Sequence, residues 1–179
     1  MNHDEYPESY ISEILRSVKT IAMIGASGRD VRPSNIVMKY LLDKGYTVTP
    51  VNPGLAGKDM LGQRVYASLA DLPGPVDMVD VFRNSDAQEG IVTEILQLDW
   101  KPKVLWAQLT VRNDEAARRA EAAGIKVVMN RCPKIEYGRH SREIGWNGVN
   151  SRIISSKKPI AQKGYQALGI RPQRDRTVR

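Results

Sequence analysis

Hydrophobic residues fall in short, near-continuous runs separated by amphipathic stretches and glycine-bearing turns. The runs are Ile21-Ala22-Met23-Ile24, YTVTPV from Tyr46, VDMVDVF from Val76, KVLWAQ from Lys103 and IKVVMN from Ile125. Runs this short and this apolar predict strands buried on both faces, as in a parallel sheet. Pro50 inside the second run predicts a strand near its end, or one whose proline nitrogen faces away from a neighbour. Between the runs lie helical patterns. Ile11, Ile14, Leu15 and Val18 recur at i, i+3, i+4 and i+7, which predicts a helix over 8–18. A second helix is predicted over 34–44, with Ser34 as N-cap and Gly45 past its end. A third runs to about Leu98 from a cap at Ser85 or Asp86, with Gln88 or Glu89 completing a capping box. A fourth, alanine-rich, starts from Asn113 or Asp114 and stops at Gly124. Asn52 to Gly62 reads as a loop, and Arg64-Val65-Tyr66 as a small strand. Alternating strands and helices with short loops predict an α/β fold, an open parallel sheet of about five or six strands with helices on both faces.

Charge alters that picture only at one end. The net charge is +7, from 27 Lys/Arg against 20 Asp/Glu. From Arg139 to Arg179 there are ten Lys/Arg and two Asp/Glu, so the excess lies in the C-terminal segment and the remainder is near neutral. A basic segment can meet nucleic acid or an anionic surface, but no recognised nucleic-acid module is visible, and nucleic acid is not expected as a partner. No apolar run approaches the roughly 20 residues of a membrane span. The polar start, MNHDEYPES, does not read as a signal peptide. Cys132 is the only cysteine, which excludes an internal disulfide and a cysteine zinc site. A cytoplasmic protein without a metal centre is the expectation.

Candidate chemistry gathers where strands end. Thr20 to Ser34, TIAMIGASGRDVRPS, combines a buried strand, a Gly-Ser turn and a helix start, a combination that can cradle phosphate on backbone N–H groups. Its glycines are spaced Gly25-x-x-Gly28, unlike the G-x-G-x-x-G of dinucleotide sites, so a tight structural turn is the competing reading. The other strand ends carry Asn52-Pro53-Gly54, Phe82-Arg83-Asn84-Ser85, Trp106-Ala107-Gln108 and Asn130-Arg131-Cys132-Pro133. None of these ends carries an acid, whereas an NAD site places Asp or Glu after its second strand. Arg29, Arg32, Lys58 and Arg83 suit a ligand with several phosphates. An NAD(P)-dependent oxidoreductase on the same fold is the alternative. His3 and His140 lie outside the predicted strands and are expected at the surface, with no catalytic residue assigned. Cys132 has two readings, a small buried hydrophobe at a strand end or a thiolate activated by Arg131 and Lys134 that could form a mixed disulfide with a thiol ligand.

Four blocks carry a resemblance: GASGRDVRPSNIVMKYLLDKGYTVTPVNP, VDMVDVFRNSD, VLWAQL and MNRCPKIEYGR. In order and spacing they resemble the small stand-alone CoA-binding proteins and the N-terminal CoA-binding domain of the succinyl-CoA synthetase α subunit. The resemblance implies a Rossmann-like fold holding coenzyme A or acyl-CoA at the strand C-termini. By block, it implies that Gly25, Ala26, Ser27 and Gly28 cradle phosphate with Arg29, Arg32 and Ser34 nearby. It places Asn52, Pro53 and Lys58 at the nucleotide end, and Val81, Phe82 and Arg83 beside adenine and ribose. Trp106 and Gln108 would lie along the pantetheine arm, with Cys132 at the same edge. The family pattern W-x-Q-x-G is broken here by Thr110. Three segments are expected: an N-terminal helix packed on the domain over 1–19, the CoA-binding Rossmann-like domain over 20–139 and a basic tail over 140–179. The phosphohistidine domain of the ligase has no counterpart in this sequence, so binding without catalysis is expected, and a protein partner or a second copy of the chain is left open.

Overall fold

The structure is a computed structural model and describes residues 2–141. The elements follow in order as α1 (Glu8–Ser17), β1 (Thr20–Ile24), α2 (Pro33–Asp43), β2 (Thr47–Val51), β3 (Asp59–Met60), β4 (Gln63–Arg64), β5 (Met78–Val81), α3 (Gln88–Gln97), β6 (Val104–Ala107), α4 (Asp114–Ala122), β7 (Lys126–Val128) and α5 (Pro133–His140). Five strands form one parallel sheet in the order β2-β1-β5-β6-β7. The fold is the Rossmann-like α/β sheet that the run pattern predicts. The basic segment expected over 140–179 lies, after Ser141, outside the described residues.

Side-chain alternation along each strand splits the core in two. Ile21, Met23, Val48, Met78, Val104, Trp106 and Val128 face α1, α2 and α5, with Ile14, Met38 and Tyr137 among their neighbours. Ala22, Val79, Val81, Leu105, Ala107 and Val127 face α3 and α4, meeting Ile91, Val92, Ile95 and the small residues Ala116, Ala117 and Ala120. Strands covered on both faces need apolar residues at consecutive positions, which is why the runs are continuous rather than alternating. Pro50 lies in edge strand β2 and its carbonyl accepts from the Tyr66 N–H, away from β1. Its nitrogen faces that same outer side, so the ladder with β1 loses no donor.

Asp77 fastens the N-terminal edge of the sheet. Its Oδ2 accepts from the N–H groups of Lys19 and Thr20, and its Oδ1 pairs with Lys103 Nζ at 2.8 Å. Burial by itself would raise this carboxyl, but the Lys103 contact and the two N–H donors outweigh it and hold the pKa at about 2.

Several local expectations need correction. Ser34 is not the N-cap of α2: Arg32 holds that position, Pro33 begins the helix, and the Ser34 hydroxyl accepts from Ser27 N–H instead. Proline suits the first helical position because the missing N–H would be unpaired there anyway. Neither Ser85 nor Asp86 caps α3, which is entered through a short 3-10 turn over Ser85–Ala87 without a side-chain cap. Ser85 Oγ accepts from Arg112 N–H, and Glu89 pairs with Arg119, so the expected capping box is absent. Asn113 does cap α4, accepting from Ala116 N–H at 3.0 Å. The loop after β2 contains the small antiparallel hairpin β3–β4. His3 and His140 are not surface residues. His3 is 7 % exposed, with Nδ1 2.8 Å from the Tyr6 hydroxyl, and the His140 side chain lies 3.9 Å from Glu136. Burial lowers both imidazole pKa values below the ordinary histidine range.

Candidate functional site

All five strands of the main sheet end at one edge, and β1 and β5 are where the chain order reverses, since β2 lies on one side of β1 and β5 on the other. Ligands of open α/β sheets bind in the crevice that such a reversal opens. Here the loops after β1 and β5 meet very closely. Gly25 has φ +80°, and a Cβ built on it would lie 2.6 Å from the Phe82 carbonyl oxygen and 3.1 Å from Arg83 Cδ. Only glycine fits that approach. The Arg83 stem therefore passes beside Gly25 while the residue as a whole is exposed.

The turn after β1 is held from several sides. Gly25 N–H donates to the Val51 carbonyl, Ser27 N–H to Ser34 Oγ, and Arg29 N–H to Ser27 Oγ. Asn35 Nδ2 donates to the Ser27 carbonyl. Asn52 is a brace between two loops: Nδ2 donates to the Ala26 carbonyl at 2.8 Å and Oδ1 accepts from Gly54 N–H at 2.9 Å. With both ends of its amide engaged and no carboxylate in its place, Asn52 does not form the ribose clamp of an NAD site. Ala26 is fully buried, whereas Gly28, Arg29 and Arg32 are exposed at the mouth of the turn. Pro53 and Lys58 are exposed on the neighbouring loop. Among the described residues, Arg29, Arg32 and Arg83 enter no ion pair or side-chain hydrogen bond. Guanidinium groups without partners of their own, on the loops after β1 and β5, are groups that could meet a multiply charged anion. The cradle that a Cβ would fill, the exposed Gly28 and the unpaired arginines fit the phosphates of coenzyme A.

The half of the edge beyond β6 and β7 is built differently. Arg112 pairs with Asp4 and Asp114, and Arg131 Nη2 donates to the Asp4 carbonyl while its guanidinium lies 5.4 Å from the Tyr6 ring centre. Tyr6 Oη accepts from Met129 N–H and Tyr10 Oη donates to the Val127 carbonyl, which covers backbone along edge strand β7. The chain before α1 is thus strapped over this side.

Several residues expected at the ligand have side chains that lie inside the protein. Val81 is 0 % exposed in the core facing α3 and α4. Trp106 is also 0 % exposed, and its Nε1 donates to the Arg131 carbonyl at 2.8 Å, so the indole props the β7–α5 turn. Phe82 is half-buried and packs against the core that faces α1, α2 and α5. The activated-thiolate reading of Cys132 is corrected: the residue is buried beside Tyr137 and Trp106, and burial pushes its thiol pKa up despite donors from the α5 N-terminus. Lys134 turns instead toward the Tyr40 ring, 5.7 Å from its centre.

Asp80 is an acid inside VDMVDVF, the run whose apolar residues predict a buried strand. It is fully buried, and its Oδ1 accepts from Gln108 Nε2 at 2.7 Å while Oδ2 has no partner. Burial raises the Asp80 carboxyl to about 7. The signal was present as an acid inside a strand that no solvent reaches. Thr110, which replaces the glycine of the family pattern, has φ +68°, and its N–H donates to Asn130 Oδ1. Among the described residues no cluster of three His, Cys, Asp or Glu side chains could hold a metal ion, and no helix is long and apolar enough to cross a membrane.

Fold and edge together define a nucleotide-binding α/β domain. The chain belongs to the family described as "CoA binding domain", whose profile matches residues 19–138. An uncharacterized protein of Bacillus subtilis, YneT, is 39 % identical over 127 residues, covering 71 % of this chain and 91 % of the relative. The ADP-forming acetate–CoA ligase I of Archaeoglobus fulgidus is 28 % identical over 163 residues, which is 85 % of this chain but 23 % of the ligase. Among solved structures, the Thermus thermophilus protein called cell-free ID.343 superposes with a TM-score of 0.70 at 38 % identity, covering 75 % of this chain and 98 % of that one.

Proposed function

We propose that the chain binds coenzyme A or acyl-CoA at the C-terminal edge of the sheet, with the phosphates at the β1 and β5 loops, and that binding rather than catalysis is its own contribution. The observation that carries this reading is the set of unpaired guanidinium groups, Arg29, Arg32 and Arg83, around a turn where Gly25 leaves room for close backbone approach. Gly25, Ser27 and Gly28 would shape the phosphate turn, with Ala26 and Ser34 holding it from beneath. Asn52 would keep that turn in place while Pro53 and Lys58 flank the nucleotide. Phe82 would meet the adenine or ribose, and Gln108 the pantetheine arm. Coenzyme A supplies a thiol that carries acyl groups; the residues named here bind and orient it. The binding unit is residues 20–139, with the segment 1–19 packed on it.

Titration calorimetry with CoA, dephospho-CoA and NAD(P) tests the reading. Saturable binding of CoA, weaker for dephospho-CoA, is expected, because the arginines then read the 3′-phosphate. Binding of NAD(P) with no response to CoA would overturn it in favour of a nicotinamide-dependent protein.

A further inference from the structure

Among the described residues Asp80 is the most deeply buried carboxylate, at 0 % exposure. It lies in register between Met23 of β1 and Trp106 of β6, at the centre of the sheet. A lone acid there is costly, and an apolar residue of similar size would be cheaper. Gln108 Nε2 donates to Asp80 Oδ1, and the Val81 backbone N–H also favours the charged form. An ionised carboxylate accepts hydrogen bonds and donates none. Gln108 can therefore meet an ionised Asp80 only with the amide nitrogen. The other end, Gln108 Oε1, accepts no hydrogen bond among the described residues and is not one of the buried polar atoms left without a partner. Gln108 follows the last residue of β6, at the edge where the strands end, and is 7 % exposed.

We propose that Asp80 is a positioning residue that keeps the Gln108 amide oxygen turned outward, making this point of the rim an acceptor that selects the amide N–H groups of the ligand's pantetheine arm. The inference rests on the CoA reading above. Protonation would release the constraint, because a neutral acid can donate to Oε1 as well as accept from Nε2. The groups around Asp80 leave that proton to it. Met23 and Trp106 on the flanking strands, Val37 and Met38 of α2 and Ile14 and Leu15 of α1 carry no charge in this core. Cys132 at the start of α5 is a titratable neighbour whose thiol feels Asp80, and burial keeps that thiol protonated; Tyr46 and Tyr137 share this core, and Glu136 is the buried acid of α5. Burial also brings the Asp80 titration near neutrality.

The test has two arms on the full chain. In the first, the side-chain amide resonance of Gln108 is followed by NMR from about pH 5 to about pH 9, a range spanning the titration of a buried acid. A single step near neutrality is expected in the wild type and none in Asp80→Asn. In the second, affinity for CoA is compared with that for an analogue whose pantetheine amide nitrogens are replaced by ester oxygens. At alkaline pH a preference for CoA of about 3–10-fold is expected, the worth of one hydrogen bond. It should fall toward one at acid pH, in Asp80→Asn and in Gln108→Leu. A Gln108 resonance that does not titrate, or an equal preference in wild type and Asp80→Asn, overturns the proposal. If Asp80→Asn does not fold, the wild-type pH profile decides alone. Failure of CoA to bind the wild type overturns the function and this inference together, whereas CoA binding with an unchanging preference overturns this inference only.

Discussion

The two halves of the sheet's C-terminal edge use arginine in opposite ways. Beyond β6 and β7, Arg112 and Arg131 are tied to Asp4, Asp114 and Glu136, and the chain before α1 closes over them. Beyond β1 and β5, Arg29, Arg32 and Arg83 have no acidic partner among the described residues. The same residue type is a latch in one half and unpaired in the other. Net charge cannot separate the two roles, and motif spacing does so poorly. What separates them is whether the local chain supplies its own anion. Where it does not, an outside anion would be the complement, as in the CoA reading proposed above.

The strongest way to break this contrast is Gly25→Ala. The added Cβ would lie 2.6 Å from the Phe82 carbonyl oxygen, against backbone that has little room to shift, and φ +80° is unfavourable for alanine. Loss of detectable CoA binding is expected in calorimetry, with a loss of about 1–3 kcal/mol in stability by denaturant unfolding. Retained binding would show that the β1 and β5 loops need not meet at this point.

Next in size is the exchange of arginines between halves. Arg29→Ala and Arg83→Ala should each weaken CoA binding by about 1.5–3 kcal/mol, or ~10-fold to ~150-fold, while stability stays within about 0.5 kcal/mol. Arg131→Ala should do the reverse, leaving affinity unchanged and lowering the melting temperature, because its partners hold the strap. Equal effects of Arg83 and Arg131 on binding would erase the distinction.

Most of the scaffold was legible from sequence because it depends on burial, and burial leaves a pattern. The five long strands, α1, α2 and α4 follow from apolar runs, helical spacing and the Asn113 cap. The β3–β4 hairpin was missed because two-residue strands are too short to show a period. Helix α5 was missed because its buried positions include Glu136 and Gly138, which carry no apolar signal. The site was legible as a set of loops but not as a set of contacts. A sequence does not show that Trp106 spends its N–H on the Arg131 carbonyl, or that the Asn52 amide is spent on Ala26 and Gly54. Those facts depend on which strand ends become neighbours, and strand order was not readable.

Asp80 sharpens the comparison through pH. Its folded pKa of about 7 lies above the ordinary aspartate value, so the folded state holds its proton more tightly than the unfolded chain. Its contribution is fully present below the unfolded value and is lost as pH rises through the folded one. Asp80→Asn removes the buried charge. It should raise stability by about 1–2 kcal/mol above neutrality and change little below the unfolded value of about pH 4, as read by unfolding at both ends of that window. An equal effect at both ends would mean that Asp80 does not titrate in this range.

The smallest expected effect is on the latched side. Thr110 has φ +68°, a region that a β-branched residue rarely occupies because its Cβ crowds the backbone. What holds it there is the hydrogen bond from its N–H to Asn130 Oδ1, and Asn130 is itself at φ +52°. Glycine would take the same conformation without that crowding. It would also gain freedom in the unfolded chain, which offsets part of the benefit. Thr110→Gly should therefore raise stability by only about 0.5–1 kcal/mol, with CoA affinity unchanged as long as glycine keeps the turn and leaves the Gln108 side chain in place. A change in affinity would show that position 110 moves Gln108, two residues before it, and with it the acceptor proposed for the pantetheine arm.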